Sequence, residues 1–323
     1  MKQVETATPT PGPNELLVRV SAVSLNFRDK AIVDGIYEPE MIPKPLIPVS
    51  DAAGVVVDAG PGVTRFKNGD RVTSHLYSRW IDGLPGPDEP KYCFGAPLPG
   101  GLADYMIIHE DSAVRSPANM TDEEASTLPI AALTAWYALV EYGNLKAGQT
   151  ILVQGTGGVS VFGVQIATAL GATVIATSSS DEKLARVKEL GATHGINYSK
   201  TKDWHKAALE LTDGIGVDQL LEVVGGDGIN NSVQATRVGG HIPIIGFMGG
   251  QTAALNLMPV IFRQTRIQGI AVGHRRAFEE MNAVLEKTGV RPVIDRIYPF
   301  DQAVEAYEHL AKGAFGKIVI KVH

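Results

Sequence analysis

The 323-residue sequence holds a single cysteine, Cys93. That excludes an internal disulfide and any cysteine-rich zinc site, and it fits a reducing compartment. Blocks of lysine or arginine are missing and the formal charge is −6. The basic footprint that nucleic acid or an anionic membrane requires is therefore absent, and a small-molecule partner is expected instead. The opening residues MKQVETATPTPG lack the charged-then-apolar order of a signal peptide. The longest apolar stretch, Val159 to Ala176, is interrupted by Gly163, Gln165 and Gly171 and changes period midway. It reads as a buried helix followed by a strand, not a membrane span. Together these features predict a cytoplasmic protein without repeats or low-complexity segments.

What is present is a soluble balance, 44% hydrophobic and 20% charged, in a chain long enough for two domains. From Glu15 to about Val114, short strands (ELLVRVSAVSL, GVVVDAG, GDRV, LADYMII) alternate with glycine and proline turns. This predicts a small, irregular, mainly β domain over residues 1–120. Residues 78–101 are dense in glycine and proline and form a long loop. Its Trp80, Tyr92 and Phe94 suit either a pocket mouth or a hydrophobic cluster beneath the loop. At Thr121 a capped helix is expected to begin. Strand and helix patterns then alternate to residue 274: TILVQG, GGVSVFGVQIATAL, TVIATS, SDEKLARVKEL, VDQLLEVV, GINNSVQAT, GHIPIIG and RIQGIAV. The class is thus α/β, with a doubly wound parallel sheet beside the β domain. Residues 275–323 are expected to return to the first domain.

GTGGVS, residues 155–160, follows the strand ILVQ and opens a helix. Gly155 and Gly157 permit a tight turn and close approach of a diphosphate, which would meet the N–H groups at Gly158 and Val159 and the positive helix end. The third position is Ser160, small enough for close helix packing. A strand–GxG–helix at the head of an alternating run predicts dinucleotide binding. An NAD site puts an acid at the end of the next strand. Here Ser178 stands in that place, followed by Ser179, Ser180, Lys183 and Arg186. Hydroxyls and a cation suit a 2′-phosphate, so NADP(H) is favoured over NAD(H). The plainer alternative makes Lys183 part of a solvated helix face.

Together SLNFRDKAIVDGIY, PVSDAAGVVVDAGPGVTRFKNGD, LPIAALTAWYAL, QGTGGVSVFG and GAFGKIVI resemble the medium-chain dehydrogenase/reductase superfamily over essentially the whole chain, and look nearest its zinc-independent quinone oxidoreductase branch. The resemblance implies a GroES-like domain beside a Rossmann domain, with the active site between them. In the zinc enzymes a cysteine, a His-Glu pair and a second cysteine surround the metal. The matching positions here are Asn26, Ser50-Asp51 and Ile130, so an ordinary tetrahedral zinc site is not expected. Asp51 then reads as a retained member of that pocket, held by Arg28 or by backbone N–H groups, or as a carboxylate that merely orders the Phe27–Asp29 turn.

The same resemblance makes Asn26 and Tyr37 candidate donors to a carbonyl oxygen, with Thr134 near the nicotinamide. Tyr37 also suits a loop aromatic over the cleft. Gly246, Phe247 and Met248 would flank the nicotinamide, and Tyr198 and Lys317 would lie near the cofactor phosphates. His274 suits either a residue facing the cofactor or, more plainly, an exposed helix start. Members usually carry another strand ahead of VETATPTPGPNE, so either the first sheet is incomplete or the N-terminus is trimmed. A homodimer joined at the strand RIQGIAV is expected, since pairing would cover a sheet edge. The implied activity is hydride transfer from NADPH to quinones or α,β-unsaturated carbonyls without zinc. The alternatives are a zinc-free alcohol or aldehyde oxidoreductase and a non-catalytic NADPH sensor.

Overall fold

The computed structural model describes residues 1–37 and 39–323. The chain begins with β1 (Glu15–Leu25), α1 (Phe27–Val33), β2 (Asp51–Ala59), β3 (Arg71–Ser74), β4 (Tyr105–His109), β5 (Ala113–Arg115) and the short α2 (Asp122–Ala125). It continues through α3 (Leu133–Trp136) into β6 (Thr150–Gln154), α4 (Gly158–Ala169), β7 (Thr173–Ser178), α5 (Asp181–Glu189), β8 (His194–Asn197), α6 (Trp204–Glu210), β9 (Val217–Leu221), α7 (Ile229–Ala235), β10 (Thr236–Ile244), α8 (Leu257–Arg263) and β11 (Arg266–Gly269). The last elements are α9 (Arg275–Thr288), β12 (Ile294–Pro299), α10 (Ala303–Lys312) and β13 (Lys317–Lys321).

Two compact units result, one of residues Met1–Leu133 with His274–His323, the other of Thr134–Gly273. The first division falls later than position 121, and the hydrogen bonds explain why. Thr121 caps α2 as the sequence predicts, but Asp122 accepts from Arg71 at 2.7 Å, the Ser126 carbonyl accepts from Ser24 Oγ at 2.9 Å, and the Ile130 N–H points at Asp51. These ties hold residues 121–133 on the β unit.

The first unit is built on a seven-stranded sheet in the order β12-β13-β1-β2-β3-β5, with β4 also on β1. β1 is long enough to take β4 along Glu15–Arg19 and β13 along Ala22–Leu25 while pairing with β2 on its other side. At its tightest point a Cβ on Gly54 would stand 2.1 Å from the Arg19 carbonyl oxygen, so only glycine fits. Alternate residues of these strands, among them Leu16, Val18, Val20, Val56 and Ile318, share one core with Tyr298 and Tyr307.

The second unit is a parallel six-stranded sheet, β11-β10-β9-β6-β7-β8. The order reverses between β6 and β9, which opens a crevice at the carboxyl ends of those two strands. Its inner strands read as continuous apolar runs because helices cover both faces; Leu152, Ile175, Leu220 and Ile242 are fully buried. HGIN and WHKAALE, which the sequence pattern does not mark as elements, form β8 and α6, since their apolar periods are too short to stand out. Leu257–Arg263 likewise forms a helix. No helix of the described residues is long and apolar enough to cross a membrane.

Candidate active site

In the second unit the glycine turn lies directly after β6, at the switch point. Gly155 has φ +71°, a conformation that L side chains adopt only at a cost, and Gly157 is the extended N-cap of α4 without a side-chain cap. Beyond both α-carbons, where a Cβ would stand, lies open space. The backbone is therefore approachable, and the uncapped first turn at Gly158 and Val159 offers N–H donors and the positive helix end to a diphosphate. Ser160 is buried and its hydroxyl donates to the Gln154 carbonyl at 2.6 Å, which ties the helix start to the strand end. The close helix–sheet contact falls one turn later than the motif suggests: a Cβ on Gly163 would meet Leu221 Cδ1 at 2.6 Å.

Ser178 ends β7 and is buried; its hydroxyl accepts from the Ser180 N–H at 3.2 Å and its carbonyl from the Tyr198 N–H at 3.0 Å. Ser180 caps α5 through the Lys183 N–H. Ser178, Ser179, Lys183 and the exposed Tyr198 are thus gathered at the ends of β7 and β8. The nearest acid, Asp181, is engaged by Asn197 at 2.6 Å and by Lys200, and these bonds hold its carboxyl below the usual range.

One buried carboxylate of this unit escaped the sequence reading. Glu222, just past β9, is closed to solvent and satisfied on both oxygens: Gln154 Nε2 and Ser232 Oγ donate to one, and the N–H groups of Val224 and Gly225 to the other at 3.0 and 2.9 Å. This clamp shapes the turn after β9. The turn is zipped to the one after β10 by bonds from Ile245 to Glu222 and from Gly249 to Val224. Gly246 sits where a Cβ would stand 2.0 Å from the Val223 carbonyl oxygen, so the two turns can meet only at glycine. Gly246, Phe247 and Met248 therefore stand at the carboxyl end of β10, with Met248 exposed. The available signal was like that at Asp51, a polar residue (Gln154, Glu222) at the end of an apolar run. Thr134 is buried in α3 of this unit.

In the first unit Asp51 opens β2 and is fully buried. Its Oδ2 accepts from Asn26 Nδ2 at 2.8 Å and from the Ile130 N–H at 3.4 Å, and lies 3.6 Å from Lys317 Nζ. Oδ1 has no hydrogen-bond partner among the described residues. The Lys317 ammonium, itself buried, donates to Asn26 Oδ1 at 2.6 Å and to the Leu25 carbonyl at 2.9 Å. Two sequence expectations are corrected here. Lys317 does not reach toward phosphates, because its donors are spent inside this cluster. Arg28 is not the partner of Asp51; it donates to Ser50 Oγ at 2.6 Å and to the carbonyls of Phe94 and Ala96.

Asp29 completes the cluster. It accepts from the Asn26 N–H and from both the N–H and the hydroxyl of Ser50 at 2.8–2.9 Å. Burial raises the Asp51 carboxyl to about 7, opposed by the positive charge of Lys317 and reinforced by Asp29. Burial also lowers the Lys317 ammonium, with both carboxylates opposing. Asn26 directs its N–H groups at Asp51 and, more weakly, at Asp29. Its donors are thus occupied, contrary to the expectation that they face a substrate oxygen.

Tyr37 is half-buried with its ring under the Arg28 guanidinium, 5.1 Å from centroid to Cζ. Of the loop aromatics, Phe94 joins the core and Trp80 packs edge-on against Tyr77 and His274. His274 does begin a helix, accepting from the Ala277 N–H at 2.9 Å, but it is buried, not exposed, because the 78–101 loop covers it.

Residues 12–118 match the alcohol dehydrogenase GroES-like domain and residues 158–295 the zinc-binding dehydrogenase domain. The chain is 39% identical to a zinc-type alcohol dehydrogenase-like protein of Schizosaccharomyces pombe, covering 96% of this chain and 91% of that one. It belongs to the medium-chain dehydrogenase/reductase superfamily. A quinone oxidoreductase of Rattus norvegicus is 27% identical over 98% of this chain and 92% of its own. A crystal structure from Sinorhizobium meliloti 1021, named as an alcohol dehydrogenase, superposes with a TM-score of 0.92 at 45% identity, covering 97% of this chain and 92% of that one. As a superfamily member the protein is an oxidoreductase of a nicotinamide-dependent family, and the open turn at Gly155–Val159 fits the diphosphate of such a cofactor.

Proposed function

We propose that this enzyme reduces quinones or α,β-unsaturated carbonyls with NADPH, without a zinc ion. The observation that carries the reading is the donor set at Asn26, Ser50, Asp51 and Ile130. It offers no thiolate or imidazole, and its one carboxylate is already paired with Lys317 and Asn26. A tetrahedral zinc does not fit these residues. Acceptors whose carbonyl is conjugated need less polarisation than a simple ketone or alcohol, so they suit a site built from hydrogen-bond donors.

A nicotinamide cofactor, held at the Gly155–Val159 turn, would supply the hydride with its electron pair. The acceptor oxygen then takes up a proton, so each turnover consumes one NADPH and one proton and leaves NADP⁺ and the reduced acceptor. With the Asn26 donors occupied, the Tyr37 hydroxyl is the group assigned to steady the oxygen and pass on the proton, and a well-placed donor contributes about 3–4 kcal/mol at the transition state. Serines and Lys183 at the end of β7, with Asp181 neutralised, support NADPH over NADH.

The deciding experiment is the initial rate of NADPH oxidation in excess chelator with a benzoquinone, an enone and an aldehyde of similar size. Fast quinone or enone turnover with a poor aldehyde rate is expected. A second reading is a zinc-free alcohol or aldehyde oxidoreductase; the names of the S. pombe and S. meliloti relatives favour its alcohol chemistry, and comparable aldehyde turnover in excess chelator would establish it.

The quaternary reading is a homodimer. β11 is the open edge of the parallel sheet, and beside it α8 leaves Leu257, Met258, Ile261 and Phe262 more than half exposed. A second copy pairing at β11 would cover both.

A further inference from the structure

A carboxamide turns end over end at little cost unless its two ends face different chemistry. At Asn26 they do. Oδ1 faces the Lys317 ammonium at 2.6 Å, while Nδ2 faces Asp51 Oδ2 at 2.8 Å and Asp29 Oδ2 at 3.4 Å. The flipped amide would aim its N–H groups at a cation and its oxygen at two carboxylates. One orientation is therefore strongly preferred, and Lys317 supplies the cationic half of that preference. The ammonium cannot drift, because the Leu25 carbonyl holds it at 2.9 Å in a site closed to solvent.

The fixed amide in turn orders the start of α1. Asn26 is the N-cap of that helix, and the Asp29 carboxylate accepts from its backbone N–H at 2.8 Å. Asp29 accepts from the Ser50 hydroxyl at 2.8 Å, and Ser50 Oγ accepts from Arg28 at 2.6 Å. Arg28 lies over the ring of Tyr37. An unbroken chain of polar contacts thus runs from β13 through the start of α1 to Tyr37. Each member bonds to the one before it, and Arg28 is steadied as well by the Phe94 and Ala96 carbonyls.

We propose that Lys317 is a positioning residue: its tethered ammonium locks the Asn26 carboxamide and, through Asp29, Ser50 and Arg28, the ring of Tyr37. This rests on the reading of Tyr37 as the group that meets the acceptor. Lys317→Met alone would strand the buried Asp51, so the test pairs it with Asp51→Asn, which removes both charges together. A merely structural ion pair predicts that Lys317→Met/Asp51→Asn recovers both stability and kcat. Positioning predicts recovered stability with kcat at least 10-fold below wild type and KM for NADPH within 2-fold. It also predicts partial rescue of kcat by Lys317→Gln/Asp51→Asn, whose amide still donates to Asn26 Oδ1.

A readout independent of turnover is the Asn26 side-chain amide resonance pair, assigned by its loss in Asn26→Ser. Both signals are expected to lie away from those of a solvent-exposed Asn amide and to resist exchange with deuterium in the wild type, to move toward the exposed values and exchange quickly in the Met double variant, and to be restored in the Gln one. Unchanged signals in the Met variant, or full return of its kcat, overturn the proposal. Should the Met variant fail to fold, the Gln variant decides, an unrestored amide pair counting against it. If the wild type reduces no quinone or enone, the functional reading fails by itself and the amide signals still judge Lys317.

Discussion

Lys317 Nζ and Asp51 Oδ2 stand 3.6 Å apart with both groups closed to solvent, one on the last strand of the chain and the other on the second. Desolvation offsets much of the attraction in such a pair, and removing one partner costs more than the pair contributes. Its place in the fold is better explained by what it orders, the Asn26 cap of α1, than by a net gain in stability.

Asp51 makes stability depend on pH in a definite direction. Its folded pKa, about 7, exceeds the ordinary 3.8, so between those values the folded chain binds more protons than the unfolded chain. The Asp51 contribution to stability is therefore greatest below the unfolded pKa and falls as pH rises toward 7, by up to about 1.4 kcal/mol per pH unit. Urea midpoints of wild type and Asp51→Asn, compared at pH 5 and pH 8, should shift in favour of the variant by at least about 1 kcal/mol at the higher pH. Parallel curves would show that Asp51 does not titrate in this range.

Tyr37→Phe removes one hydroxyl from a half-buried ring and leaves Arg28 over it. The fold should be intact by circular dichroism, KM for NADPH unchanged, and kcat toward an enone lower by roughly 10²-fold, as for loss of a placed proton donor. A variant as fast as wild type would remove Tyr37 from the chemistry.

Lys183→Ala tests the cofactor. The loss of one cation opposite a 2′-phosphate should lower kcat/KM for NADPH by roughly 10- to 100-fold, about 1.5–3 kcal/mol, and leave NADH unaffected. Equal losses with both cofactors would return Lys183 to the solvated face of α5.

Two glycines separate packing from backbone. At Gly163 a new methyl group meets the end of the Leu221 side chain, an overpacking worth about 1–3 kcal/mol. At Gly246 it meets a carbonyl oxygen that cannot yield without parting the turns after β9 and β10. Thermal melts should therefore rank Gly246→Ala well below Gly163→Ala; the reverse order would mean that the two turns are not locked together.

The dimer proposal is tested by Phe262→Asp, which places a charge on the exposed face of α8. Sedimentation should show a dimer for wild type and a monomer for the variant. A wild-type monomer would leave that face without a second copy.

Much of this was legible in the sequence because it depends on local pattern. Alternation along ELLVRVSAVSL marked β1 with its observed bounds, the apolar runs of TILVQG and TVIATS marked strands buried on both faces, and Gly155 and Gly157 marked the open turn between β6 and α4. The oddity of Asp51 within a buried strand was visible too, and so was the lack of soft ligands at Asn26, Ser50 and Ile130. Partners distant in sequence were not. That Asp51 answers to Lys317 instead of Arg28, that the Asn26 donors are spent on carboxylates, that His274 is covered and that Glu222 clamps a turn result from β13 lying against β1, from the 78–101 loop folding over α9 and from the strand ends meeting at a switch point. Residue type and spacing determine which elements form. Which buried charge meets which is decided by the folded chain, because desolvation makes each polar group seek whatever partner the packing brings within reach.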